Sequence, residues 1–158
     1  MNMQMLEQVI WKPNIHMSTP TEENPMPNIR GIRGAIQVDE DRPDLIMDAT
    51  RQLLLAILDE NPSLEPEDLA SIFFTATTDL TAVHPALAAR QLGWQNVPLL
   101  CAQEIPVPNS LPRVVRVLAH WNTPLPQDQV RHVYLGATRN LRPDLHPIPS
   151  MQANGKLE

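Results

Sequence analysis

The chain has 158 residues, of which 42% are hydrophobic, so it is long enough for one domain with a folded core. Its formal net charge of −6 argues against a nucleic-acid-binding protein, and no apolar run approaches the roughly 20 residues that a membrane-spanning helix needs. The N-terminus lacks the basic region and apolar stretch of a secretory signal, and the single cysteine, Cys101, excludes an intrachain disulfide. We therefore expect a cytoplasmic protein.

The two ends of the chain differ in composition from the part between them. Residues 1–28 carry four prolines, polar runs such as STPTEEN and no sustained periodicity, which predicts a disordered N-terminal extension. Residues 146–158 are predicted to be a flexible C-terminal tail. A single compact domain is predicted between them, over residues 29–145.

The first half of this domain predicts a strand followed by a long helix. Residues 29–38 alternate in polarity and contain two glycines, which is typical of a strand that another group approaches closely. Asp41 is expected to cap the helix, with Pro43 in its first turn. Apolar residues then recur at helical spacing to about Glu60. This amphipathic helix should cover one face of a sheet.

Shorter elements follow. The pattern predicts a helical turn at 66–69, a buried strand at 70–77, a short helix at 85–92 that ends at Gly93, and strands at 97–101 and 113–121. Residues 130–135 fit a strand or a helical turn, and we favour a strand. The alternation indicates an α/β or α+β fold with a mixed sheet.

Arginine supplies all the positive charge of the second half of the domain. Residues 80–143 hold six arginines against two acids, and no lysine lies between Lys12 and Lys156. A guanidinium can meet a carboxylate at two points, whereas an ammonium cannot. The pattern suggests a small carboxylate or phosphate ligand, although ordinary surface arginines are the commoner explanation of composition alone.

Arg116 is the sharpest single signal because it interrupts VVRVLA, the most apolar strand of the chain. With a period of two, Arg116, Leu118 and His120 share one face and the apolar residues between them share the other. A buried guanidinium is costly unless an anion or several acceptors meet it. Arg116 is therefore either a ligand-facing cation or an edge-strand arginine that reaches to water. The pattern does not choose between them.

Arg33 stands between Gly31 and Gly34 in RGIRGA. Small neighbours let a ligand come close to an arginine. The alternative, which the pattern favours, is that the glycines form a β-bulge and leave Arg33 in water.

Glu104 is nearly alone among prolines and cations in CAQEIPVP, where it either binds a ligand hydroxyl or, more commonly, balances an arginine. Cys101 is most simply a small buried hydrophobe. The motifs HExxH, CxxC, GxSxG and the phosphate loop do not occur, and His84, His120 and His132 lack metal-ligand spacing. The sequence thus predicts neither a metal nor a covalent nucleophile.

Several motifs together resemble the monofunctional chorismate mutases of the type first known in Bacillus. They keep their order and spacing over about 29–145: RGIRGA (30–35), TATTDLTAVHPALAARQLGW (75–94), VPLLCAQEIPVP (97–108), LPRVVRVLAHWNT (111–123), PQDQVRHVYL (126–135) and LRPDL (141–145). The resemblance implies a five-stranded mixed sheet with one long helix. It also implies a homotrimer, a pseudo-α/β-barrel with active sites between subunits.

The resemblance also implies roles for individual residues. Arg33 and Tyr134 would bind substrate carboxylates, and Arg116 would lie beside the ether oxygen of the breaking bond. Glu104 would bond the ring hydroxyl, with Cys101 near the same group. Arg90 would belong to the site wall formed by the short helix. The neighbouring subunit would contribute His84, Ala86 and Leu87. The C-terminal segment that closes over the ligand would include Leu141 and Arg142.

Two of these positions depart from the family pattern. His84 stands where phenylalanine is common, so the mouth of the pocket should be more polar. Leu87 replaces a lysine found in some members, which should weaken the attraction of a dianion. Neither departure touches Arg33, Glu104 or Arg116.

The implied activity is the rearrangement of chorismate to prephenate in aromatic amino-acid biosynthesis, without a cofactor. The reaction is intramolecular and moves no proton, so it needs no general acid or base. Two other classes remain as alternatives. One is a non-catalytic trimeric module that binds a small carboxylate. The other, an RNA-binding protein, is disfavoured by the acidic net charge and the few aromatic residues.

Overall fold

The computed structural model describes residues 27–145. Residues 1–26 of the predicted disordered extension (1–28) and the whole predicted tail (146–158) lie outside this range, whereas Asn28 already belongs to the first strand. The strands are β1 (Asn28–Gln37), β2 (Leu69–Ala76), β3 (Leu99–Gln103), β4 (Val114–Thr123) and β5 (Val133–Tyr134). The α-helices are α1 (Pro43–Glu60) and α2 (Ala86–Gln91), and 3-10 turns lie at Pro66–Asp68, Gln127–Gln129, Gly136–Leu141 and Pro143–Leu145.

The five strands form one mixed sheet in the order β3-β2-β4-β1-β5. β4 runs antiparallel to both of its neighbours, β1 and β2, while the outer pairs β1–β5 and β2–β3 are parallel. The predicted α+β class with a mixed five-stranded sheet is therefore confirmed. The same order contradicts the edge-strand alternative for Arg116, because β4 is the central strand.

Helix α1 forms where the apolar spacing predicts it, with proline in its first turn. Its buried face includes Ile46, Leu53, Leu54 and Ile57, which join the main core against the sheet. Each such side chain contributes about 1.5–3 kcal/mol when fully buried. The helix stops at Asn61, whose side-chain amide donates to the carbonyl of Ile57 (2.9 Å).

The predicted helix cap at Asp41 is wrong. The N-cap is Arg42, whose side chain makes no capping hydrogen bond. The carboxylate of Asp41 instead accepts the backbone N–H groups of Thr81 and Ala82, at 2.8 and 2.9 Å, and the Thr81 hydroxyl at 2.8 Å. The chain approaches the helix in an extended conformation, so this carboxylate ties the loop after β2 to the start of α1.

Other boundaries shift for local reasons. β3 begins at Leu99 and not at Val97, because Pro98 has no N–H to give to the ladder. The strand favoured at 130–135 shrinks to Val133–Tyr134. β2 alternates between buried and half-exposed residues and is not buried throughout, since α1 covers only one face of the sheet.

That one-sided cover confirms the two faces predicted for β4. Val115, Val117, Ala119 and Trp121 are buried toward the helix, whereas Arg116, Leu118 and His120 on the other face remain partly or largely exposed. On the open face, Leu100, Phe73 and Leu118 stand in register across β3, β2 and β4. Their exposed fractions are 54, 40 and 39%, which is unusual for side chains in the middle of a sheet. Within residues 27–145, no helix is long and apolar enough to cross a membrane.

Candidate active site

Arg116, Glu104 and Thr75 meet on the open face of the sheet. Thr75 of β2 stands directly opposite Arg116 of β4. Glu104 follows the last residue of β3, and its backbone N–H donates to the carbonyl of Ala76 at 2.9 Å. Its Oε1 accepts the Thr75 hydroxyl at 2.7 Å and lies 2.9 Å from Nε of Arg116. The structure thus places Arg116 and Glu104, whose roles the sequence pattern left undecided, in contact with each other.

The contact between Arg116 and Glu104 is an ion pair without a hydrogen bond. Nε lies within ion-pair distance of Oε1, but this buried nitrogen has no hydrogen-bond partner among residues 27–145. The Glu104 side chain is only 16% exposed, whereas that of Arg116 is 42% exposed. A guanidinium that is partly withdrawn from water and short of acceptors is suited to receive an anionic ligand.

Arg33 lies on the same open face, one strand away. Its partner across the β1–β4 ladder is Leu118, and that of Ala35 is Arg116, so the two arginines are diagonal neighbours. The Arg33 side chain is exposed, and its backbone N–H donates to Nδ1 of His132 at 3.1 Å. Arg33 therefore adds a second positive charge beside Arg116.

The glycines around Arg33 do not form a β-bulge, because β1 pairs with β4 residue by residue. Gly34 faces the helix, where an added Cβ would lie 3.1 Å from Cδ1 of both Leu53 and Ile57 and 3.2 Å from the backbone oxygen of Val133. Gly31 faces the open side, where an added Cβ would meet Leu118 at an ordinary 3.7 Å. An added side chain would therefore be crowded at Gly34 and not at Gly31.

A third group gathers where β5 joins the sheet. Tyr134 pairs with Ala35, packs with it and Val114 on the open side, and is covered in part by Leu145. Arg142 donates to both oxygens of Asp144, at 2.9 and 2.6 Å. These hydrogen bonds lower the pKa of Asp144 and raise that of Arg142.

Burial and two nearby positive charges affect the pKa of His132 in this group. Burial lowers the pKa of His132, and the positive charges of Arg33 and Arg142 lower it further. The structure thus brings Arg33 and Arg142 near His132, and Arg142 near Tyr134. Leu141 lies one residue away from Arg142, half-buried at the end of the Gly136–Leu141 turn.

The remaining residues of the predicted site lie elsewhere in the same chain. Cys101 pairs with Phe74 on the helix-facing side, so it packs against the main core. Together with His84 it lines a cavity of about 410 Å³ beside β3. Ala86 is buried, and Leu87 and Arg90 are exposed on helix α2. Within residues 27–145, these residues do not join the group around Arg116.

Sequence reasoning missed Thr75, His132 and Asp144 as members of this region. The TATTD segment offered no sign that one threonine of three would face Arg116, because that depends on strand register. Among residues 27–145, no three His, Cys, Asp or Glu side chains gather as metal ligands would.

Comparison with known proteins identifies the family. Residues 29–145 match the family model for chorismate mutase type I. The chain is 61% identical over 117 residues to chorismate mutase AroH of Thermus thermophilus, covering 74% of this chain and 96% of that protein. It is 49% identical over 118 residues to chorismate mutase AroH of Bacillus subtilis strain 168, covering 74% and 92%.

A solved structure agrees with the sequence relatives. It is described as a chorismate mutase from Clostridium thermocellum, and it superposes with a TM-score of 0.68 at 42% identity. The match covers 70% of this chain and 97% of the other. The chain therefore belongs to the type I chorismate mutase family.

Proposed function

We infer that this chain is an isomerase that rearranges chorismate to prephenate, a step of aromatic amino-acid biosynthesis. Its family membership and its named relatives support this activity. The observation that carries the mechanism is the ion pair of Arg116 and Glu104 on an open sheet face, in which the buried Nε of Arg116 has no hydrogen-bond partner among residues 27–145.

The rearrangement makes two demands on a protein. Chorismate is a dianion whose enolpyruvyl arm must be held over the ring. Negative charge must also be stabilised on the ether oxygen as its C–O bond breaks. No proton moves, so neither demand needs an acid, a base or a nucleophile.

Arg33 and Tyr134, with Arg90, would meet the first demand by fixing the two carboxylates. Held in this way, the substrate stays in a compact and reactive conformer. Arg142 and Leu141 would close over it from the C-terminal segment. The cluster of Arg33, Arg142 and Tyr134 at the β5 end of the sheet supports this assignment.

Arg116 would meet the second demand as a preset cation beside the oxygen that gains charge. Glu104 would accept the hydrogen bond of the ring hydroxyl, with Cys101 near the same group. Oε1 of Glu104 already contacts Thr75 and Arg116, while Oε2 has no hydrogen-bond partner among residues 27–145 and is available to the substrate.

A homotrimer with sites between subunits would complete this arrangement. The exposed row of Leu100, Phe73 and Leu118 needs cover that a single chain does not supply. His84, Ala86 and Leu87 lie apart from Arg116 within one chain, so they would reach the substrate from a neighbouring subunit. His84 and Leu87 would make that wall more polar and less cationic than in other family members. The expected location is the cytoplasm.

The direct test incubates purified protein with chorismate and follows its loss together with the appearance of prephenate. We expect catalytic turnover. Chorismate bound tightly but returned unchanged would instead identify the non-catalytic carboxylate-binding module. A binder needs clamps for carboxylates but gains nothing from a cation at the ether oxygen.

A further inference from the structure

We propose that Thr75 is a positioning residue of this active site, acting through Glu104. Its hydroxyl holds one oxygen of the Glu104 carboxylate, so that the other oxygen faces the substrate and Arg116 stays free for the ether oxygen. The proposal rests on the chorismate mutase activity inferred above, and it adds a residue to which neither sequence motif nor resemblance gave a role.

The geometry fixes the carboxylate from two sides. The Thr75 hydroxyl donates to Oε1 of Glu104 at 2.7 Å, and the Glu104 backbone is tied to Ala76, the next residue of β2, at 2.9 Å. Thr75 itself lies within β2, directly opposite Arg116 in the β2–β4 ladder. Side chain and backbone of Glu104 therefore share one rigid anchor, the end of β2.

This anchor solves a problem that the neighbouring charges create. An arginine and a carboxylate in contact tend to form two parallel hydrogen bonds. That arrangement would occupy both oxygens of Glu104 and the donor edge of Arg116. In the structure the two groups are 2.9 Å apart at Nε and Oε1, yet no hydrogen bond joins them. The Thr75 hydroxyl donates a hydrogen bond to Oε1 as well. This favours the single contact between Arg116 and Oε1 over two parallel hydrogen bonds.

The consequence for catalysis is specific. Without the hydroxyl, the glutamate side chain regains rotational freedom and can turn both oxygens toward Arg116. The cation would then be partly neutralised where charge must develop, which acts on the chemical step more than on binding. A merely structural threonine, by contrast, would act through stability or assembly.

The experiment compares Thr75→Val, which keeps the shape and removes the hydroxyl, with Thr75→Ser, which keeps the hydroxyl. We expect kcat to fall about 10–30-fold in Thr75→Val with KM changed less than about 3-fold, and to stay within about 3-fold of wild type in Thr75→Ser. Ser71→Ala is the matched control, because Ser71 lies on the same strand and face but bonds His120. It should stay within about 2-fold.

A double-mutant cycle separates positioning from structure. Adding Thr75→Val to Glu104→Gln should lower kcat no further than Glu104→Gln alone, because both changes remove the same oriented carboxylate. Fully additive losses, or a Thr75→Val variant with wild-type kcat, would overturn the role of Thr75. If Thr75→Val loses its assembly in sedimentation, Thr75→Ala takes its place in the cycle. Absence of turnover in the wild-type protein would refute the proposed activity itself.

Discussion

Replacing Arg116 with lysine tests the centre of the mechanism while keeping the charge. In lysine, a methylene group takes the place of Nε, and the ammonium nitrogen lies near the position of Cζ. A methylene would thus stand against Oε1 of Glu104, where Nε now lies at 2.9 Å. The ammonium would be drawn back toward that carboxylate and away from the ligand. The fork that reaches two acceptors at once is also lost.

Losing one preset donor to a developing oxyanion costs about 3–4 kcal/mol, or about 10²–10³ in rate. Here the donor is a full charge in a partly dry site, where electrostatic interactions are stronger than in water. We therefore expect Arg116→Lys to lower kcat by at least about 10³, which corresponds to about 4 kcal/mol. KM should change by less than about 10-fold, since the other arginines still bind the carboxylates.

Steady-state rates of chorismate loss and prephenate formation measure this effect, with thermal melting to show that the variant is folded. Arg51→Lys is the control, because Arg51 lies on α1 and pairs with Asp48 at 3.2 Å in an exposed position. Such a pair is worth little, so that variant should keep its rate within about 2-fold. Turnover by Arg116→Lys within about 10-fold of wild type would refute the role assigned to the guanidinium.

Three further predictions concern assembly, packing and pH. Phe73→Glu puts a charge on the open sheet face and should yield an inactive monomer in sedimentation. Leu55→Glu, at a similarly exposed site on α1, should remain an active trimer. An active monomer would contradict the proposal that active sites are shared between subunits. Gly34→Ala should lower the free energy of unfolding by about 1–3 kcal/mol, because the added methyl group would crowd α1 and the backbone oxygen of Val133. Gly31→Ala should cost less than about 0.5 kcal/mol, and equal losses in chemical denaturation would show that packing is not the cause. Asp41→Asn should lower Tm near neutral pH, because hydrogen bonds from the loop after β2 lower the pKa of this carboxyl below 3.8. That stabilisation is present above the ordinary pKa of 3.8 and is lost as the pH falls through the lowered pKa, so a Tm difference that does not shrink as the pH is lowered below 3.8 would contradict it.

Local pattern predicted most of the elements. Apolar spacing gave α1, and alternation gave the two faces of β4, because each is a periodicity of contiguous residues. The errors came where a residue had two possible partners. Asp41 has the chemistry of a helix cap, but its carboxylate binds the loop after β2, 40 residues away along the chain. Sequence spacing does not record which of two nearby sets of N–H groups a carboxylate will meet.

The residues of the site became recognisable through motifs, and their type followed from chemistry: arginines for carboxylates, one in an apolar strand, and an isolated glutamate. Their positions relative to one another did not follow from the sequence. Whether Arg116 lay at an edge or in the centre, whether Thr75 or its neighbours faced it, and which side of the sheet Cys101 occupied all depended on strand order and register.

The sequence by itself thus determined most of the elements, the buried faces of α1 and β4, and the motifs on which the family resemblance rests. Tertiary structure alone decided that Glu104 meets Arg116 through a single contact, that Gly34 is crowded by α1 and the backbone of Val133, and that one sheet face stays open. The physical reason is that periodicity reports how a residue faces its own element. Pairing between strands far apart in sequence is instead settled by the packing of the whole core.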